Sequence, residues 1–276
     1  MVSGEGLIFV REQKTESMKQ LVLWMMFLAP LVGSAQQEKL NQVDAQGKKH
    51  GKWVKAWPGK NIKQLEGTFN HGVPTGEFKA WYETGEVHMI SMYAPDGKTK
   101  RTKIYHPNGY LMAKGKYVNE LRDSVWLFYN EIGRVQSKEN YVAGKLEGEL
   151  EIYYTAAVQL PNGEMDYVPG IPSHIYTYKN GLRNGVYKEL FTNGKLKAEG
   201  TYKDGNLDGK QVRYRADGSK ESVVYYKHAV KNGQAEFYNP YGEVIKRVYY
   251  LNDKVLEGAK LEQHLQKIKE EKAANK

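Results

Sequence analysis

The chain has 276 residues, 40% hydrophobic and 26% charged, the balance of an ordinary folded soluble protein. Its formal charge is +9, from 41 Lys and Arg against 32 Asp and Glu, and the Lys residues are scattered along the whole length, as on a solvated surface. There is no Cys, which excludes disulfides, thiolate metal sites, a Cys nucleophile and a lipid-modified N-terminal Cys. Tyr, at 21, outnumbers Phe, at 7, and together with 28 Gly this favours β-structure rich in turns.

In chain order, Met1 to Ser17 carries Glu5, Arg11, Glu12, Lys14 and Glu16, which suit neither a signal peptide nor a core element. We read it as an unstructured extension ahead of a start at Met18. Residues 18–35 follow as a signal peptide: Lys19 gives the positive start, Leu21 to Val32 the apolar run, and Gly33-Ser34-Ala35 the small residues before cleavage. The apolar run is too short to span a bilayer comfortably. Residues 36–49 are then a linker, and the expected compartment is outside the cytoplasm: periplasmic, outer-membrane-associated or secreted.

From residue 50 to 258 the chain repeats. Phe69, Tyr93, Tyr117, Tyr141, Tyr178, Tyr202, Tyr226 and Tyr250 end successive β-like runs at spacings of 24, 24, 24, 37, 24, 24 and 24. A second column is Trp57, Trp81, Tyr105, Tyr129, Tyr153, Leu190, Tyr214 and Tyr238; a third, of turn glycines, is Gly85, Gly109, Gly133, Gly194, Gly218 and Gly242. The spacing of 37 is one period plus 13 residues, so one unit holds an insertion. Three columns in one register indicate a repeat architecture.

The unit "GVYKELFTNGKLKAEGTYKDGNLD", Gly185 to Asp208, shows its physics. Val186 to Phe191 is a strand, and "TNGK" is an Asn-Gly turn that favours positive φ. Leu196, Ala198, Gly200 and Tyr202 then share one face, with Lys197, Glu199 and Thr201 on the other. "KDGN" turns into the next unit. Each unit is a β-hairpin joined to the next by another tight turn, which predicts an all-β antiparallel meander, open and twisted, of eight hairpins or about 16 strands. Gly at positions 67, 115 and 200 leaves room for an aromatic ring from an adjacent strand. The stretch "DGNLDGK" mimics the start of a calcium loop, but its twelfth position is Arg215 rather than Glu, and its glycines belong to the repeat columns.

Two features interrupt the pattern. "DGKTKRTK" brings Lys98, Lys100, Arg101 and Lys103 to the junction of two units, either as a solvated turn or as a grip on an anionic surface such as lipid headgroups, acidic polysaccharide or nucleic acid. The insertion, near residues 155–176, is rich in Pro and Gly and reads as a projecting hairpin or loop; Asn162, Met165, Tyr167 and His174 are its candidate binding residues. Residues 259–276 lose the repeat and space Leu261, Leu265 and Ile268 as an amphipathic helix that closes one end of the sheet.

Units of the form Y-x-x-G-x-x-x-G-x-x-x-x-Y-x-x-x-G, as in "YKDGNLDGKQVRYRADG" (Tyr202 to Gly218), resemble the MORN repeat, specifically its bacterial variant. The resemblance runs from His50 to Gly258. Lys100 and Ser124 replace the opening Gly, and Asp96, Glu120, Ala229 and Asp253 the second-turn Gly. The resemblance implies an interaction scaffold, sometimes membrane-associated, and chains of this kind are also labelled antitoxins by similarity. The residues it identifies are structural: Tyr117, Tyr141, Tyr178, Tyr202, Tyr226 and Tyr250, with Gly109, Gly133, Gly194, Gly218 and Gly242.

No H-E-x-x-H pair, G-x-S-x-G elbow or phosphate-binding G-x-x-x-x-G-K-[ST] loop occurs. Glu149 and Glu151 share a strand face, but a glycosidase pair needs opposed carboxylates across a cleft. The expectation is a non-catalytic exported scaffold with no cofactor and no metal. Its partner is expected to be a protein or an envelope component, with no specific nucleic-acid signal. The alternative is an antitoxin- or immunity-like protein that binds and neutralises a toxin.

Overall fold

A computed structural model of the chain describes residues 39–159, 165–166 and 170–274. The expected N-terminal extension, the signal peptide and the first three linker residues, 36–38, lie outside the described residues. The first strands are β1 (Gln42–Val43), β2 (Lys49–Ala56), β3 (Lys63–Asn70), β4 (Val73–Trp81), β5 (Val87–Tyr93), β6 (Thr99–Tyr105) and β7 (Leu111–Val118). They continue as β8 (Leu121–Tyr129), β9 (Val135–Val142), β10 (Lys145–Tyr153), β11 (Val158–Gln159), β12 (Met165–Asp166), β13 (Pro172–Lys179) and β14 (Leu182–Leu190). The last are β15 (Leu196–Lys203), β16 (Asn206–Leu207), β17 (Gly209–Tyr214), β18 (Lys220–Lys227), β19 (Val230–Tyr238), β20 (Val244–Leu251) and β21 (Lys254–Leu256), followed by the helix α1 (Gly258–Ala274).

Nineteen of these strands form one antiparallel sheet in which each pairs with its sequence neighbours. β11 and β12 form a separate small hairpin, bridged over by the pairing of β10 with β13. The meander is the one expected. The strand number exceeds 16 because β1 and β21 add a short pairing at each end, and because one repeat strand is split into β16 and β17 at Asp208.

The turns explain the register. Asp204 and Gly205 have φ of +49° and +85°, a left-handed pair that matches strand twist in a two-residue hairpin. Asn119-Glu120, His228-Ala229 and Asn252-Asp253 adopt the same pair without glycine. The repeat therefore forces non-glycine residues into a region that costs roughly 1–2 kcal/mol each.

Alternation gives the sheet two unlike faces. On the aromatic face, one file of residues crosses the repeat strands in register: Trp53 opposite Gly67, Phe78 opposite Ser91, Ser91 opposite Thr102, Thr102 opposite Gly115, and on through Trp126, Leu150, Tyr176 and Tyr187 to Ala235. Glycine is used where a ring lies flat on the backbone. A Cβ on Gly67 would stand 2.3 Å from the Phe78 ring, on Gly115 2.3 Å from Trp126, and on Gly200 2.7 Å from Tyr187. Trp126 is 0% exposed as a result. Where Ser91 and Thr102 fill the file instead, their buried hydroxyls satisfy each other at 2.8 Å.

A flanking file carries the repeat tyrosines, and four of them face a cation across the strand: Tyr93 faces Lys100, Tyr117 faces Arg122, Tyr178 faces Arg183 and Tyr226 faces Lys231. Arg122 lies 5.0 Å from the Trp126 ring and 5.5 Å from Tyr141, and Arg183 lies 4.0 Å from Tyr176. A single-layer sheet has no second layer to bury its rings, so rings and cation stems cover one another.

At the C-terminal end, α1 lies against the sheet through half-buried Leu261, His264 and Ile268, with His264 5.3 Å from the Tyr249 ring. β21 pairs with β20 only at Tyr249, Tyr250 and Leu251, so among the described residues Val244 to Val248 have no paired outer strand.

Two substitutions probe these devices in urea unfolding. Gly115→Ala must displace the Trp126 ring and should lower stability by about 1–3 kcal/mol. Ala229→Gly relieves a left-handed alanine and should raise it by about 1 kcal/mol.

Candidate binding surface

The charged face is built by the residues between those just described. One of its files runs Val54, Glu66, Lys79, Ile90, Lys103, Lys114, Leu127, Lys138, Glu151, Ile175, Lys188, Glu199, Val212, Val223, Glu236 and Arg247, each opposite the next. Most directly opposed charges in it have opposite signs: Glu66 with Lys79, Lys138 with Glu151, Lys188 with Glu199, Glu236 with Arg247. Such pairs stabilise a sheet. Lys138 meets Glu151 at 2.7 Å, and that hydrogen bond holds the ammonium's pKa above its ordinary value.

The strands β6 and β7 break the rule. Arg101 stands opposite Lys116, and Lys103 opposite Lys114. Lys116 is answered by Asp123 at 2.9 Å, which lowers the pKa of that carboxyl, and the Lys114 ammonium lies 5.7 Å from the Tyr129 ring. Arg101 and Lys103 are exposed and have no carboxylate partner among the described residues. Exposed apolar side chains flank the four: Met92 beside Arg101 on β5, 51% exposed, and Val125 on β8, 44% exposed.

The basic run expected at the unit junction is therefore divided by the pleat. Lys98 is exposed in the β5–β6 turn, its N–H donating to Asp96 Oδ1. Lys100 points to the aromatic face, 9% exposed, with its Nζ 5.1 Å from both the Tyr93 and Tyr117 rings. It donates to Glu120 Oε2 at 2.5 Å and to the Tyr93 hydroxyl at 3.1 Å. Burial opposes that charge, but the two hydrogen bonds outweigh it and raise the pKa. Lys100 is thus a member of the cation–aromatic file, and only Arg101 and Lys103 of the run reach the charged face. Lys114 and Lys116 escaped the sequence reading because they lie one strand later. The signal was the Asn108-Gly109 turn, which folds "KTKRTK" back onto "MAKGKY".

Of the insertion residues, Asn162 and Tyr167 lie outside the described residues, and Met165 belongs to β12. His174 is a sheet residue of β13, opposite Glu189, with its ring stacked at 5.8 Å on Tyr176 and Nδ1 3.0 Å from Ser173 Oγ. The structural columns fall where the repeat puts them. Tyr141 is buried, and Gly109, Gly133, Gly194, Gly218 and Gly242 all have positive φ in the turns.

At the N-terminal end, a depression of about 230 Å³ on the aromatic face is lined by Trp53, Leu65, Phe69 and Phe78, with the Lys49 ammonium 4.7 Å from Trp53. Among the described residues there is no group of three His, Asp or Glu placed to hold a metal ion, and no helix is long and apolar enough to cross a membrane.

The MORN repeat variant family profile matches residues 183–204, which span most of β14, the Asn-Gly turn and β15. No curated protein matches the chain. Among solved structures, it is similar to the TcdB2–TccC3 crystal structure, 14% identical over 76% of this chain, with a TM-score of 0.19. This chain spans 13% of that one. It is also similar to a protein of unknown function from Bacteroides fragilis, 10% identical, covering 67% of this chain and 96% of that one, with a TM-score of 0.11.

Two outcomes follow from these environments. Lys103→Glu turns a like-charge pair into an opposite one and should stabilise the fold by about 0.2–1 kcal/mol, less so in high salt. Burial, with a hydrogen bond to Glu151 in the first case, pushes Tyr153 and Tyr187 up to about 12 from 10.0. The fold favours their neutral forms, so this stability is complete below pH 10 and is lost as pH rises through about 12. A tyrosinate absorbance titration against thermal unfolding at each pH checks it.

Proposed function

For a chain that carries the MORN-type hairpin and repeats it in register, we propose the role of a non-catalytic binding scaffold, with the charged face as its recognition surface. The observation that carries this reading is the division of labour between the faces. The aromatic face spends its rings and cations on each other, whereas the charged face leaves exposed apolar side chains among charges on inner strands: Met92, Val125, Val186 and Tyr225. Apolar anchors in a polar surround on a rigid support are what a protein interface requires.

The partner is a protein, met outside the cytoplasm after removal of residues 18–35. The apolar run Leu21 to Val32 behind Lys19 supports export. A scaffold of this kind acts by rigidity: neighbouring hairpins hold each strand, so its surface binds with little ordering cost.

The test is photocrosslinking in the native cell. A benzophenone amino acid at Met92, Val125 or Val186 should give discrete protein adducts, while one at Ile104 on the aromatic face should not. Adducts of equal yield from both faces, or from neither, would remove the reading. Fractionation and N-terminal mapping of the same cells should place the chain outside the cytoplasm, beginning at or near Gln36.

A further inference from the structure

The two like-charge pairs on β6 and β7 are an anomaly in a face that elsewhere sets opposite charges across from one another. Cross-strand neighbours lie roughly 4.5–5.5 Å apart at Cβ, where like charges destabilise the sheet. Both strands are interior, with backbones already paired on both sides, so nothing can be recognised there except through side chains. The four cations form a small grid. Along each strand they are two residues apart, about 6.7 Å, and across the strands about 4.8 Å.

The grid is bounded. Glu77 lies beyond Met92 on β4, Asp123 closes the Lys116 side, and Glu149 and Glu151 stand on β10. A long polyanion laid across the strands, or a broad anionic surface, would meet these carboxylates. A short acidic segment would not.

We infer that Arg101, Lys103, Lys114 and Lys116 form a docking site for an extended acidic segment of a partner protein, with carboxylates two residues apart meeting the grid and apolar side chains resting on Met92 and Val125. An extended peptide repeats its same-face side chains at about the same 6.7 Å as the strand beneath it, so carboxylates at i and i+2 match Arg101 with Lys103 or Lys116 with Lys114. Charge-assisted hydrogen bonds to Arg101 and Lys103, neither of which has a carboxylate of its own, supply the attraction, and occupation of the site relieves the cross-strand repulsion. This inference rests on the charged face being the recognition surface.

The test measures fluorescence anisotropy of a labelled peptide alternating Glu and Val with the full chain at low ionic strength. Saturable binding is expected, lost on adding salt, and absent for the same peptide with Gln in place of Glu. The double variant R101E/K103E should weaken binding by at least about tenfold while keeping the fold, since it creates opposite-charge pairs with Lys116 and Lys114. R101Q/K103Q is the second variant, and it should weaken binding in the same direction. Equal binding by the charge-reversed protein, or of the Gln peptide, overturns the inference. So does a preference for a labelled oligothymidylate or for phosphatidylglycerol vesicles over the acidic peptide. Crosslinks from Met92 or Val186 in cells, without acidic-peptide binding, would leave the scaffold standing and remove this site alone.

Discussion

A single-layer sheet has to bury its own apolar surface, and everything else in this structure follows from the way it does so. Among the described residues no second layer faces the repeats, so each ring must lie along the sheet rather than project from it. That is feasible only where the neighbouring strand has no side chain in the way. Gly67, Gly115 and Gly200 supply the space, and Phe78, Trp126 and Tyr187 occupy it. The ring in turn shields backbone that glycine would leave exposed.

The same constraint selects the cations of the aromatic face. A tyrosine beside a buried file needs a cross-strand neighbour that covers its ring without demanding full burial. The stems of Lys100, Arg122, Arg183 and Lys231 do this while their heads remain within reach of rings, hydroxyls or a carboxylate. Lys100 shows the principle at its limit, because its buried ammonium is tolerated only with Glu120 and the Tyr93 hydroxyl in contact. The charged face carries no such obligation and follows ordinary cross-strand complementarity, apart from β6 and β7. Departure from a rule that the rest of the face obeys is the usual mark of a site kept for a purpose other than stability.

Much of the architecture was legible in the residue order. A 24-residue period with aromatic and glycine columns leaves few alternatives to a meander of hairpins. The assignment of Leu196, Ala198, Gly200 and Tyr202 to one face holds in the pairing of β14 with β15. The candidate site was only half legible. "KTKRTK" announces a basic run, but a linear run says nothing about pleat, and alternation sends Lys100 one way and Arg101 and Lys103 the other. His174 was drawn into the insertion by its position in sequence, whereas it sits on β13 because strand pairing resumes at Pro172.

Local chemistry by itself determined the hairpins, the turn types and the alternation of side chains along each strand, because those depend on neighbours within a few positions. It also determined where glycine would yield to a ring. Which charges meet across strands was decided only by the tertiary structure. Cross-strand register depends on the turn and on the bulge beside it, such as the shift between Ile104 and Tyr105 just before the Asn108-Gly109 turn. A slip of one residue would send Arg101 and Lys103 to the other face. The four-cation grid therefore exists only once β6 and β7 are paired in this register.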